Sequence, residues 1–371
     1  MEKKKNDFIA QGSILAIASI LVRVMGMIYR IPMTAIIGDK GNGFYSYAYS
    51  VYTILLLLSS YSLPLAVSKM VSAKAQLGQW RNVKRVFICA IAFAIGIGTT
   101  FGLIVLIGAQ FFTRVFFHSE LAAIALRFMA PTILIMALLG VFRGFFQGLQ
   151  NTLPTAVSQI VEGLINAIMS VVFAYFLFDF GHGMDVAGGT TDLGYAWGAA
   201  GGAIGTGAGA LAGLIFCFIL FVAYRKILAV NISRDKTGTQ QEYGDIFRLM
   251  LSIALPVILS TALYNLIELV DGSLFNNIMA SKGMEDVKDS MWGAYNAKAL
   301  LLVHIPVSIS SAMAVSLVPT LTAAYALGDE QTAKSKVHAI LRFISILAFP
   351  SAVGLLVLAN PIIKTLFSGD T

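Results

Sequence analysis

The chain has 371 residues, of which 57% are hydrophobic and only 12% are charged, and its mean hydropathy is +0.80. This balance excludes an ordinary soluble globular domain and is typical of a polytopic membrane protein. The net charge of +7 is explained by basic loops beside anionic lipid headgroups, so we expect no nucleic-acid partner.

Apolar segments long enough to cross a bilayer, which takes roughly 20 helical residues, recur along the chain. We predict nine spans, at residues 8–30, 44–66, 85–109, 121–146, 153–178, 197–224, 247–278, 291–323 and 336–359. Because lipid offers no partner to a backbone amide, these spans predict an all-α helical bundle. The first run carries Arg23 and lacks a suitable cleavage site, so we expect a permanent helix and not a signal peptide.

Loop charges predict the orientation of the bundle. With a cytoplasmic N-terminus, seventeen Lys and Arg residues lie on the cytoplasmic side and five lie outside. The five are Lys40, Arg114, Lys282, Lys288 and Lys364. This asymmetry agrees with the positive-inside rule.

A weak internal repeat appears when the sequence is shifted by 250 positions. Residues Ala73–Phe87 then align with Ala323–Val337, and Phe111–Glu120 align with Pro361–Asp370. The shared offset predicts two similar lobes with a substrate site near the bilayer midplane where they meet. We expect an N-terminal six-helix lobe (1–230), a cytoplasmic linker (231–245) and the first three helices of an incomplete C-terminal lobe (246–371), so that the complete product is longer.

Two arginines stand out in the first span, because charged residues inside a membrane are costly and are functional candidates by default. Arg23 and Arg30 are two helical turns apart, so they share one face at a distance of about 10 Å. They suit two clamps for an anionic substrate. The alternative is that Arg30 reaches the outer interface while Arg23 forms a structural pair with Glu162 or Glu268.

Later spans carry further intramembrane charges. Glu268 and Asp271 lie one turn apart on the seventh span, and they fit ion coupling by Na⁺ or a proton. A gating or structural role, in which they neutralise Lys298 or Arg23, is the alternative that we favour. Glu162 is a weaker candidate for the same roles, and Lys298 in the eighth span is a candidate substrate ligand.

The sequence offers little for catalysis. Cys89 and Cys217 lie in apolar spans and are interpreted as core residues, and the lone His304 is more typical of a hydrogen-bonded core position. The small-residue run Gly198–Gly213 follows no strand, so it predicts a helix-packing face and not a nucleotide loop. We expect no metal, no cofactor and no enzymatic activity.

The segment Leu21–Lys74, with the sequence LVRVMGMIYRIPMTAIIGDKGNGFYSYAYSVYTILLLLSSYSLPLAVSKMVSAK, resembles the polysaccharide-flippase branch of the multidrug, oligosaccharidyl-lipid and polysaccharide exporter superfamily. Within that branch the chain is most similar to the MurJ-type lipid II flippases and to stage V sporulation protein B. The resemblance implies a MATE-like fold of two six-helix lobes plus two later helices, around a cationic cavity that takes the diphosphate of an undecaprenyl-linked sugar. It also implies the cell membrane of a bacterium.

The resemblance assigns substrate-binding roles to three residues. Arg23 matches the arginine of the family's RxxG motif, and Arg30 matches a second arginine with a displacement of one residue. Lys298 stands where the family has a cavity arginine in the eighth helix, and it keeps the charge but loses bidentate phosphate geometry. A family arginine of the second helix has no counterpart here.

Together these features predict a monomeric flippase that moves lipid II, or a similar lipid-linked oligosaccharide diphosphate, between leaflets by alternating access. Its partners are then that substrate and membrane lipids. A flippase for another undecaprenyl-linked glycan is the first alternative. A cation-coupled drug exporter and a non-transporting scaffold for cell-wall or sporulation enzymes are the others.

Overall fold

The computed structural model describes residues 2–188, 191–310 and 329–367. The described residues are almost entirely helical and contain no strand, which confirms the predicted all-α bundle. The α-helices are α1 (Glu2–Leu56), α2 (Leu63–Gln76), α3 (Trp80–Phe117), α4 (Ala122–Gly148), α5 (Leu153–Gly188), α6 (Leu193–Ser233), α7 (Tyr243–Ser281), α8 (Glu285–Ala294), α9 (300–310) and α10 (Glu330–Leu366). Short π-helical turns at Leu57–Tyr61 and Tyr295–Ala299 connect α1 to α2 and α8 to α9.

The described helices agree with the predicted spans in place. Seven helical segments of the described chain are long and apolar enough to cross a membrane. The first of them, Ile17–Gln76, contains the two spans predicted at 8–30 and 44–66. The eighth predicted span continues into residues 311–323, which lie outside the described part. The chain is therefore a multi-pass membrane protein.

Gly38 separates the first two spans. Its φ of 61° lies in the left-handed region, where glycine carries no Cβ penalty, so α1 consists of one helix before Gly38 and another after it. The first helix therefore ends near Ile37 and not at residue 30 as predicted. This places Arg30 about 10 Å inside the helix end, at 1.5 Å per residue.

Helices α1–α6 pack together as one group, which we call the first group, and α7–α10 are the second group. Within the first group, Gly201, Gly205 and Gly209 of α6 face the backbone of α5 so closely that an added Cβ would meet its atoms. Their spacing of four residues keeps them on one face. The predicted small-residue packing face is thus present, and close approach of helices is what such residues permit in membranes.

The two groups meet where the second half of α1 crosses α8. A Cβ added to Gly43 would contact the carbonyl oxygen of Asp289, and one added to Gly293 would contact the carbonyl oxygen of Asp39. In each segment an aspartate precedes the glycine by four positions, so the two D-x-x-x-G segments are separated by 250 residues and the glycine of each contacts the aspartate of the other. The crossing is therefore symmetric between the two segments, and their separation equals the 250-residue shift of the weak internal repeat.

The linker between the groups is docked onto the start of α3. The carboxylate of Asp235 accepts a hydrogen bond from the backbone N–H of Arg81 at 2.9 Å, and Asn82 donates to the Thr239 carbonyl at 3.1 Å. Arg85 donates to the Gln241 carbonyl and lies over the Tyr243 ring, 5.2 Å from its centroid. These bonds hold residues 235–243 against the first group.

We expect Gly293→Ala to destabilise the crossing of α1 and α8, because the added Cβ meets backbone atoms of Asp39 and Gly43, which cannot move aside as a flexible side chain can. The loss is about 1–3 kcal/mol, as for other overpacked sites. Thermal unfolding of the purified protein measures it. Gly96→Ala in α3 is the control, since a Cβ there meets nothing within 4 Å, and an equal loss in both variants would contradict the crossing.

Asp235→Asn should release the linker. Hydrogen bonds from Arg81 and Thr237 lower the pKa of Asp235 to about 2. The ionised carboxylate therefore stabilises the docked linker fully above its ordinary pKa near 4, and this stabilisation is lost as the pH falls through about 2. Limited trypsin digestion at Arg234 and Lys236 reads out the release at neutral pH. Asp245→Asn is the control, and unchanged cleavage in the Asp235 variant would refute the docking.

Candidate functional site

A cavity of about 200 Å³ lies between the two groups. Both halves of α1 form one wall, and α7 with the segment from the second π-turn into α9 forms the other. The lining residues are Tyr29, Arg30, Met33, Asn42, Tyr45, Ser46 and Tyr49 from α1, Glu268 from α7, and Asn296, Ala297, Leu300 and His304 from the opposite segment. The cavity therefore combines one arginine, one carboxylate, one imidazole and several neutral hydrogen-bonding groups.

Arg30 is the cationic side chain of this cavity. It is half-buried, and three phenols, those of Tyr29, Tyr45 and Tyr49, surround it. It forms no ion pair within 4 Å among the described residues. A guanidinium without a carboxylate partner is available to an anionic ligand.

A second, smaller cavity of about 160 Å³ lies on the other side of Arg30, inside the first group. Tyr52, Glu162, Asn166 and Thr206 line it together with the same tyrosines. Glu162 is already engaged, because Arg143 donates to it at 2.7 Å and also to Ser158 at 2.8 Å. Arg143 is one of the seventeen basic residues that the loop count assigns to the cytoplasmic side, but its side chain is buried in α4 as the partner of Glu162.

Lys298 is placed differently from Arg30. Its ammonium group is buried and lies 2.7 Å from the carboxylate of Asp39, across the contact between the two groups. It lines neither of the cavities that contain Arg30. The neutralising carboxylate is thus Asp39, which stands just after Gly38, and not Glu268 or Asp271.

Arg23 is exposed and lines neither cavity. It pairs with neither Glu162 nor Glu268 among the described ion pairs. Of the three predicted ligands, the structure therefore brings Arg30 to the interface cavity, holds Lys298 in an ion pair beside it, and leaves Arg23 two turns away on the same helix.

Glu268 and Asp271 both line a third, larger cavity of about 810 Å³ between α7 and the α8–α9 segment. Glu268 also lines the cavity of Arg30, whereas Asp271 does not. No group of three or more His, Cys, Asp or Glu side chains in the described part of the chain is arranged to hold a metal.

Sequence reasoning missed the tyrosines and misread His304. Tyr45, Tyr49 and Tyr52 recur at helical spacing in the second span, and that spacing was the available signal for a polar face. His304 was interpreted as a core residue, but it is exposed and lines two cavities. Asp39 had a signal as well, because it aligns with Asp289 at the 250-residue offset.

The two groups are sealed together at the end that carries Gly38. Besides the glycine crossing and the Asp39–Lys298 pair, Tyr47 donates a buried hydrogen bond to Asn276 at 2.9 Å. Lys288 bonds the Phe117 carbonyl at 3.2 Å. These contacts close one end of the interface directly beside the cavity.

Comparison with known proteins shows which family this chain belongs to. Residues 8–324 match the family described as "Polysaccharide biosynthesis protein". The chain belongs to that family. This confirms the resemblance to the flippase branch that the motifs of the first helix predicted.

Two curated relatives from Bacillus subtilis (strain 168) match almost the whole chain. The lipid II flippase MurJ is 26% identical over 94% of this chain and 64% of its own length. Stage V sporulation protein B is 24% identical over 99% of this chain and 68% of its own length. The chain thus spans about two thirds of each relative. A solved MATE family transporter of the MOP superfamily, in an inward-facing conformation, superposes with a TM-score of 0.71 at 13% identity, covering 94% of this chain and 73% of that one.

These similarities confirm the MATE-like fold. The two relatives and the structural neighbour are named as a flippase, a sporulation protein and a transporter, in agreement with the prediction that the chain is not an enzyme.

We expect the buried pair of Asp39 and Lys298 to couple the two groups. Lys298→Met or Asp39→Asn alone leaves one charge unpaired and costs roughly 3 kcal/mol, so the double variant should lose less than the sum of the two. A double-mutant cycle on thermal unfolding measures the coupling. The exposed pair of Glu330 and Lys334 is the control, where coupling below about 0.5 kcal/mol is expected; equal coupling at both sites would contradict the interface.

Proposed function

We propose that this protein is a flippase that moves lipid II, or a similar undecaprenyl-diphosphate-linked peptidoglycan precursor, across a bacterial cytoplasmic membrane. The observation that carries the proposal is Arg30, a guanidinium without a carboxylate partner within 4 Å among the described residues, lining a cavity between the two helix groups. The 26% identity to a lipid II flippase supports this substrate class.

The chemistry of the substrate fits this site. A diphosphate that crosses a hydrocarbon layer needs a fixed cation in a polar chamber, since a bare charge in lipid is strongly unfavourable. Guanidinium binds phosphate oxygens through two parallel hydrogen bonds. The phenols of Tyr29, Tyr45 and Tyr49 add hydroxyl donors around it.

Alternating access is supported by the contacts at the Gly38 end. Translocation requires the glycine crossing, the Tyr47–Asn276 bond and the Asp39–Lys298 pair to break and re-form as the cavity changes sides. When the pair opens, Lys298 becomes a second cation beside the cavity. In this proposal Arg30 binds the diphosphate in both states, Lys298 joins it when the groups part, and Arg23 receives the headgroup two turns along the same helix.

The charge pattern supports an N-terminus in the cytoplasm. Lys40, Arg114 and Lys288, which loop counting places outside, form ion pairs with Asp192, Glu120 and Asp289 at the Gly38 end of the bundle. The basic residues Arg81 and Arg85 lie with the linker at the opposite end of α3. The sealed end then faces outward.

A flippase for another undecaprenyl-linked glycan is the second candidate. The description of the family, polysaccharide biosynthesis, favours it, and a diphosphate clamp does not read the attached sugar. Rescue of a bacterium depleted of its lipid II flippase separates the two: growth supports lipid II as cargo, and failure of a correctly expressed protein supports another glycan.

Arg30→Gln should reduce translocation of a fluorescent lipid II analogue in proteoliposomes by about 10- to 100-fold, because it removes charge-assisted hydrogen bonds worth roughly 1.5–3 kcal/mol. Translocation by Arg30→Lys should lie between that of the wild type and that of Arg30→Gln, since lysine keeps the charge without the planar guanidinium. Arg225→Gln, at an exposed position, is the matched control. Wild-type transport by Arg30→Gln would refute the assignment of the site.

A further inference from the structure

Arg30 presents an electrostatic problem when the cavity is empty. Its guanidinium is half-buried in the membrane region and has no carboxylate within 4 Å among the described residues. An unneutralised cation there is unfavourable, and a carrier must nevertheless return without cargo. The empty state therefore needs a negative group inside the same cavity.

Most carboxylates near this cavity are already occupied. Glu162 accepts from Arg143 at 2.7 Å, Asp39 accepts from Lys298 at 2.7 Å, and Asp289 accepts from Lys288 at 2.7 Å. Each of these distances is that of a formed ion pair. None of these groups is available to Arg30 without breaking its own pair.

Glu268 is the carboxylate that lines the cavity of Arg30 and has no cation within 4 Å in the described part of the chain. Ser50 of α1 donates to it at a long 3.4 Å. Its helix is fixed two turns further on, where Tyr47 donates to Asn276 at 2.9 Å. Glu268 is thus held across the cavity from Arg30, on the opposite helix group, and its side chain is exposed to both adjoining cavities.

We propose that Glu268 is the resting counter-anion of Arg30, which neutralises the guanidinium across the empty cavity and is displaced by the diphosphate of the substrate. This inference rests on the proposed function. A diphosphate carries more charge than a carboxylate and can bind the guanidinium through two oxygens, so it outcompetes Glu268. The carboxylate in turn competes with the bound diphosphate for the guanidinium, which favours release of the substrate.

The placement of the two charges on different groups gives the exchange a second consequence. Attraction between Arg30 on α1 and Glu268 on α7 draws the two groups together when the cavity is empty. Cargo removes that attraction, because the diphosphate now neutralises Arg30. Loading of the site is therefore linked to separation of the groups.

Binding of undecaprenyl diphosphate to the purified protein in nanodiscs tests the exchange. Glu268→Gln should tighten binding about threefold to fivefold, the range of a solvent-accessible charge pair, and Arg30→Gln should weaken it. In the Arg30→Gln background the Glu268 substitution should have no further effect. Asp271→Asn is the matched control, one helical turn away and outside this cavity.

Three results overturn the inference. Unchanged or weaker binding by Glu268→Gln, with binding by Arg30→Gln still impaired, refutes the counter-anion role of Glu268 but leaves the proposed function intact. Equal tightening by Asp271→Asn shows a general effect of cavity charge instead of exchange at Arg30. No binding by the wild-type protein removes the proposed function, and the inference with it.

Thermal unfolding without ligand gives an independent reading that does not depend on substrate. Glu268→Gln and Arg30→Gln should each lower Tm, and the double variant should recover part of the loss, because no unpaired charge remains. Additive losses would contradict the pair even if binding changed.

Discussion

The cost of a cation inside a membrane governs this structure. Each intramembrane charge must be neutralised, hydrated or employed in binding, since its burial in lipid costs several kcal/mol. The chain neutralises Arg143 with Glu162 and Lys298 with Asp39. Arg30 lines the interface cavity with no carboxylate within 4 Å among the described residues, and a site for an anionic headgroup explains why it is retained there.

The close packing of the α1 and α8 backbones determines where the cavity of Arg30 lies. Gly43 and Gly293 allow α1 and α8 to approach so closely that carbonyl oxygens fill the space of a side chain. The crossing fixes the second half of α1 against the second group, and with it Tyr45 and Tyr49 on the wall of the cavity. The same crossing lies next to the ion pair of Asp39 and Lys298. Closure of one end of the interface and formation of the binding chamber are therefore consequences of one contact.

Sequence reasoning predicted the bundle, its spans and Arg30 as a candidate, because hydropathy and helical periodicity are local properties. It did not predict the partners of Lys298 and Arg143. Those depend on the rotation and height of one helix against another, which no spacing within a single helix determines. The left-handed turn at Gly38 was also missed, and it moved Arg30 from a helix end into the interior. The three tyrosines of the second span had a visible periodicity, but an apolar context made them resemble core residues.

The central claim is that the diphosphate of a lipid-linked substrate binds between the two helix groups at Arg30. A cryo-electron microscopy structure of the protein in nanodiscs with undecaprenyl-diphosphate-linked disaccharide tests it most directly. The account predicts phosphate oxygens about 2.7–2.9 Å from the Arg30 guanidinium nitrogens, inside the cavity formed with Tyr45 and Tyr49. Density for the diphosphate on a lipid-facing surface, with the interface cavity unchanged, would contradict it.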